Sequence, residues 1–196
     1  MDCEMKDRII RETFRLLLRK GLYGVSISDI QNAVGASRSL VYHHFKNKED
    51  LLYKACMHYC VQRYRLSVDE LKSLSTRDIF LRMHQIRRGL IDSLSAPGGE
   101  RVSIRNYNLL FYQASQRFPD LMKELKVECE KLEYHVRLAQ KNGEIRGDID
   151  PAFFIRLYFY TFDGASNYIT GIDCEGEDEE DVMLREVMRF YEVVKA

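Results

Sequence analysis

Hydrophobic residues in this chain recur at helical rather than strand spacing. Ile10, Phe14, Leu17 and Leu18 make an apolar stripe that ends at Gly21, and a glycine just past such a stripe is a common helix stop. Residues 26–52 then read as two short helices joined by a turn at Gly35 and followed by a third. From Lys48 the helical pattern continues through Leu51, Leu52, Ala55, Tyr59 and beyond, which predicts a helix that leaves this region without a flexible linker. Further helices are predicted over 76–94, 103–116, 119–142, 151–170 and 179–194, with 96–100 (APGGE) and 142–150 (NGEIRGDID) as breaks. Pro119 and Pro151 suit first-turn positions, and Asp150 stands where a cap is needed. Neither an alternating strand pattern nor an internal repeat is present, so the predicted fold is all-α, a three-helix N-terminal head joined to a larger helical body.

The polar residues at the helix starts of the head are informative. Ser26 with Asp29, and Asn47 with Asp50, each place a capping side chain three residues ahead of a carboxylate, Asp here standing for the usual Glu or Gln. Ser37 caps the middle helix in the same way, but its third position is Leu40, so this helix start carries no acid to repel a phosphate. Val41 and Phe45, at i,i+4, fix the buried side of the middle helix. At about 100 degrees per residue, Ser39 and His43 stand opposite, with Leu40 and Tyr42 on the flanks. Arg38 lies in the first turn, where a long side chain reaches a guanine edge or a phosphate. Between Ser37 and Lys48 the formal charge is +3, from Arg38, Lys46 and Lys48 against no acid. Two short helices, a glycine turn and a basic, acid-free tip are the layout of a DNA reader.

These residues resemble the tetracycline-repressor (TetR) family of transcriptional regulators, over roughly the first quarter of the chain. The residues that carry the likeness are Ser26, Asp29, Ile30, Gly35, Ser37, Val41, Tyr42, Phe45, Lys48 and Leu51. Ser26 stands for threonine, Ala36 for valine, Val41 for leucine, and Gln31 replaces a small alanine. The resemblance implies a helix-turn-helix DNA-binding domain over 1–50 and an effector-binding and dimerisation domain over 51–196. It implies phosphate contacts from Ser26, Tyr42 and Lys48, with Ser37 at the tip of the reader helix. Base-edge contacts fall to Ser28, Arg38, Ser39, Leu40 and His43. Leu40 offers apolar contact only, which suits a thymine methyl.

Composition narrows the remaining classes. Of 196 residues, 45% are hydrophobic and 31% charged, the make-up of an ordinary globular chain. No run of eighteen apolar residues occurs and the N-terminus MDCEMKDR is polar, which predicts a cytoplasmic protein with no membrane partner. The five cysteines, Cys3, Cys56, Cys60, Cys129 and Cys174, lack C-x-x-C spacing, so reduced thiols are expected rather than a disulfide framework. Net charge is zero, an obstacle for a nucleic-acid binder. Its distribution answers much of this: residues 8–20 hold five cations and one acid, while 173–196 hold nine acids and three bases.

Residues 153–162, FFIRLYFYTF, are apolar nearly all the way round, and such a helix needs cover on several sides. A homodimer is therefore expected, with Phe154, Tyr158, Phe162, Met188 and Tyr191 at its interface. A twofold dimer presents two reader helices roughly 34 Å apart to a double-stranded DNA operator of approximate palindromy. The resemblance also implies a small-molecule effector of unidentified chemistry. Phe80, Met83, His84 and Arg87 on one helix, and Tyr107, Phe111 and Tyr112 on the next, are the candidates to line its pocket. Arg156, a cation among aromatics, is expected to pair with Asp163 or Asp173 across the dimer. Cys56 and Cys60 share a helical face, but no further ligand accompanies them, and neither a metal nor a cofactor is expected. No phosphate-binding loop, H-E-x-x-H or complete nucleophile elbow is present, which argues against an enzyme. Two other readings stand beside the ligand-released repressor: a DNA binder with a filled body, and a redox sensor or helical enzyme using Cys56 and Cys60.

Overall fold

The computed structural model describes residues 2–95, 101–169 and 177–196. Ten α-helices account for most of these: α1 (Asp2–Lys20), α2 (Ile27–Val34), α3 (Arg38–His44), α4 (Lys48–Cys60), α5 (Val68–Ser73), α6 (Thr76–Leu94), α7 (Ile104–Arg117), α8 (Pro119–Lys141), α9 (Pro151–Gly164) and α10 (Glu179–Val194). A 3-10 turn (Gln62–Tyr64) follows α4, and a π turn (Ala165–Ile169) continues α9. The sole extended pairing among the described residues is an isolated antiparallel bridge between Ile145 and Lys195. The all-α class expected from the sequence is the class observed.

Three local expectations differ from the structure. The buried stripe of α1 begins at Ile9, with Phe14, Leu16, Leu17 and Leu18 also buried, whereas Ile10 is only half-covered. Helix α4 does not run on but stops at Cys60. A stronger start signal lies just beyond it: Ser67 and Glu70 form a reciprocal capping box that opens α5. Asn47 does cap α4, yet Asp50 closes no box with it, since its carboxylate accepts instead from the backbone N–H of Lys46 at 3.0 Å.

The chain forms two compact units, residues 1–63 with 90–123, and residues 64–89 with 124–196. In the first, α1 packs on α2, α4 and α7. Phe14 stacks on Tyr59 with centroids 4.5 Å apart and meets the edge of Tyr107, whose hydroxyl donates to the Tyr59 carbonyl at 2.8 Å. Arg15 donates to the carbonyls of Ser93, Leu94 and Ser95, which have no partner within the helix they end. Between α1 and α2 the chain turns so tightly that a Cβ on Gly24 would lie 2.3 Å from the Lys20 carbonyl oxygen. Only glycine fits there.

In the second unit an aromatic cluster surrounds Phe80, with Tyr158 stacked at 4.9 Å and Phe154, Phe190 and Tyr191 at 6.0 to 6.4 Å. The Glu144 carboxylate accepts from the Thr76 N–H at 2.7 Å, satisfying an otherwise unpaired donor at the start of α6, and takes a further bond from the Tyr191 hydroxyl. His135 is buried with both ring nitrogens engaged: Nδ1–H donates to the Leu71 carbonyl at 2.8 Å, which leaves Nε2 to accept from the Thr76 hydroxyl at 3.0 Å.

Candidate nucleic-acid interface

Three caps and two buried side chains set the reader. The Ser26 hydroxyl accepts from the Asp29 N–H at 3.1 Å, and the Asp29 carboxylate accepts from the Ser26 N–H at 2.8 Å, a reciprocal box that opens α2. Lys20 lies 2.5 Å from the same carboxylate; its hydrogen bond, followed by those from Ser26, holds the Asp29 carboxyl well below the usual carboxylate range. Helix α2 ends at Gly35 in the left-handed conformation, with φ of 69°. Ser37 opens α3, its Oγ accepting from the Leu40 N–H at 3.2 Å and lying 2.9 Å from Ser39 Oγ. The first turn of α3 holds no acid.

Val41 and Phe45 are buried at 0% and 1% exposure, which fixes the rotation of α3. Ser37, Arg38, Ser39 and His43 are exposed on its far side, and Leu40 and Tyr42 are half-exposed at its edges. Ser26 and Ser28 are exposed on α2, and Lys48 is half-exposed at the start of α4. The Arg38 guanidinium lies 5.4 Å from the Tyr42 ring centroid, within cation–π range. The structure therefore brings every residue assigned to DNA onto solvent-accessible positions of α2, α3 and the start of α4. It does not add the α1 cations as a group: Arg15 is held by carbonyls, Arg11 pairs with Glu12, and Lys20 pairs with Asp29.

Two residues distant in sequence hold this surface from behind. Gln113 Oε1 accepts from the Leu22 N–H at 3.1 Å, in the turn that follows α1. Arg117 donates from Nε to Glu49 at 3.0 Å and forms a second, closer bond to the same carboxylate, while its guanidinium lies 5.1 Å from the Tyr23 ring centroid. Both contacts link positions 68 or more residues apart, so no local pattern announces them.

The candidates for effector binding separate. Phe80 and Met83 line a cavity of about 20 Å³ in the second unit, with Thr76, His135, Phe154 and Tyr158 among its walls. His84 and Arg87 are buried in the same unit, against Glu180. Tyr107, Phe111 and Tyr112 belong to the first unit, where Tyr107 is core, Phe111 half-buried and Tyr112 63% exposed. Of the interface candidates, Phe154 and Tyr158 are buried within their own unit, while Phe162, Met188 and Tyr191 are partly covered. The residues that α9 turns outward are Phe153, Arg156, Tyr160 and Asp163. Within the chain the Arg156 guanidinium lies 5.6 Å from the Phe153 ring centroid; the pairing expected for it is across a dimer, and Asp173 falls outside the described residues. Cys56 and Cys60 are buried; burial pushes the Cys56 thiol up to about 12 and Cys60 well above its ordinary value. Thiolate chemistry needs the opposite shift.

A short capped helix presented between two others, on an otherwise helical chain, defines a helix-turn-helix protein. Residues 9–55 match the family of bacterial regulatory proteins described as tetR. The likeness to that family is carried by this region of the chain. It is 43% identical over 56 residues to the uncharacterized HTH-type transcriptional regulator YerO of Bacillus subtilis, and 33% identical over 60 residues to IcaR of Staphylococcus epidermidis, the negative transcriptional regulator of the biofilm operon icaADBC. Each match covers 29% of this chain, and they cover 19% and 32% of the two relatives, so the chain spans less than a third of either. Over its whole length the fold is similar to that of a TetR-family regulator from Agrobacterium tumefaciens, with a TM-score of 0.74 at 17% identity and full coverage of both chains.

Proposed function

We propose that this protein is a non-enzymatic, cytoplasmic transcriptional repressor that binds an approximately palindromic DNA operator as a homodimer and is released by a small-molecule effector. The observation that carries the reading is the outward face of α3: Arg38, Ser39 and His43 exposed, no acid in the first turn, and Val41 and Phe45 anchoring the opposite side. Arg38, Ser39, Leu40 and His43 read base edges together with Ser28, while Ser26, Tyr42 and Lys48 hold phosphates. Residues 1–50 serve DNA and 51–196 serve the effector and the second subunit. A second copy meets the outward residues of α9, Phe153, Arg156 and Tyr160, in place of Phe154 and Tyr158. The cavity beside Phe80 is where an effector enters, and it acts only through a difference in its affinity for the two forms of the dimer.

Footprinting on genomic fragments at several salt concentrations tests this reading. Lys48→Ala is expected to weaken binding on all sequences and to lower the salt slope by about one. An unchanged slope removes Lys48 from the phosphate contacts. The filled aromatic cluster around Phe80 favours one alternative, a DNA binder controlled by something other than a small molecule, and the absence of any releasing compound would select it.

A further inference from the structure

Thr76, Phe80, Met83 and Arg87 follow one another on α6 at spacings of four, three and four residues, which stacks them along one face. The first three line the small cavity, where Phe154, Ile155 and Tyr158 complete an apolar wall. Arg87 comes one turn later, at 3% exposure. Its Nε lies 2.9 and 3.2 Å from the two Glu180 oxygens, a terminal nitrogen lies 2.9 Å from Glu180, and the guanidinium sits 4.7 Å from the Phe162 ring centroid. A terminal nitrogen of Arg87 also donates to His84 Nδ1 at 3.2 Å, which makes His84 a neutral acceptor. The two places are also neighbours along α9, since Tyr158 lines the cavity and Phe162, four residues later, lies against the Arg87 guanidinium.

An apolar cavity with a buried cation one helical turn beyond it is complementary to a molecule with an apolar body and one negative end. The anion already on that cation is a carboxylate, and it comes from a different helix, the second position of α10. We propose that the effector is a small organic acid whose apolar body enters the cavity beside Phe80 and whose carboxylate replaces Glu180 on Arg87. Exchange of one carboxylate for another keeps the buried cation paired throughout, whereas a neutral or cationic ligand that displaced Glu180 would leave Arg87 without a counter-ion. The guanidinium fork suits a planar carboxylate in two-point contact. As it stands the cavity of about 20 Å³ has room for a single water. Entry therefore requires Met83, unbranched and half-buried, and the Phe80 ring to move, so the acid binds a form of the unit other than the empty one. Loss of Glu180 from Arg87 removes one tie on the first turn of α10 and leaves that of Arg88 to Asp181 at 2.6 Å.

The proposal rests on the ligand-responsive reading, and calorimetry on the full chain without DNA separates the two. Hexanoate and phenylacetate are titrated at millimolar concentration against hexanamide and phenylacetamide, which match them in shape and lack the charge. The acids are expected to bind, and the amides to bind at least about tenfold more weakly. Glu180→Gln removes the internal competitor and is expected to tighten both acids about tenfold. The double variant Arg87→Met with Glu180→Met contains no buried charge to orphan; it is expected to unfold cooperatively and to have lost all preference for acid over amide. Failure of both acids to bind the unaltered chain, equal binding of acids and amides, or retained acid preference in the double variant overturns the proposal while leaving the DNA reading untouched. Acids that bind yet fail to release the protein from its operator duplex sustain the site and overturn the ligand-responsive reading instead.

Discussion

The reader and the second compact unit are built by different kinds of contact. On the presenting face of the reader the contacts span three or four residues: Ser26 with Asp29, Ser37 with Leu40, Val41 with Phe45, Arg38 with Tyr42. In the second unit the decisive polar contact, Arg87 with Glu180, joins positions 93 residues apart, and the cap that starts α6 comes from Glu144, 68 residues on. The reader exposes its polar groups, where each contributes modestly to stability and its value lies in what it presents to a duplex. The second unit buries one charged pair, Arg87 with Glu180, where removal of one partner is costly. Chemistry carried on a short helix surface can vary without endangering the fold, whereas chemistry in the second unit is tied to its stability.

Several substitutions sharpen that contrast. Glu180→Ala strands the Arg87 guanidinium in the interior and is expected to destabilise the chain by about 3–5 kcal/mol in urea unfolding. A loss no larger than that of an exposed pair would place Arg87 in contact with water and erase the distinction. Arg38→Ala is expected to leave stability unchanged while relaxing base preference at one operator position by about 1–3 kcal/mol, read by competition between duplexes. Ser26→Ala removes the cap of α2 and is expected to cost about 1 kcal/mol, with Ser26→Gly closer to the unaltered chain.

The smallest expected effect is on pH dependence. Burial, and then the positive charge of Arg87, hold the His84 imidazole below its ordinary value, with Glu180 opposing. Because the folded value is the lower one, the unfolded chain binds the proton more readily. The stability due to neutral His84 is therefore complete above about pH 6.5 and is lost as pH falls through the depressed folded value. Arg88 adds to the depression and Asp181 opposes it, so the net effect is modest. His84→Gln is expected to flatten the pH dependence of unfolding below about pH 6.5, and an unchanged slope would show that the imidazole binds protons equally in the folded and the unfolded chain.

What the sequence made legible follows the same division. Ser37 and Leu40 could be read because a cap and its third residue are neighbours, and the orientation of α3 followed from Val41 and Phe45 alone. The limits of α6 and α10 were readable from periodicity and flanking breaks, since a helix end is a local event. Gln113 and Arg117 were invisible as braces of the reader, because nothing near either residue specifies Leu22 or Glu49 as its partner. The same limit explains α9. Its composition showed that it needs cover on several sides, but which side its own unit covers depends on where Phe80 and Phe190 arrive, so Phe154 and Tyr158 are buried at home and Phe153 and Tyr160 face outward. Arg87 could be picked as a polar handle on the right helix, yet its counter-ion on α10 could not.

The central claim is that the outward face of α3 reads DNA sequence. Selection from a pool of random duplexes by the full chain, at physiological salt, tests it most directly. The account predicts enrichment of an inverted repeat whose half-sites lie about one helical turn apart, with Arg38→Ala losing preference at one position of each half-site. A pool that stays random after repeated rounds, or one enriched equally by the chain and by Arg38→Ala, would contradict it.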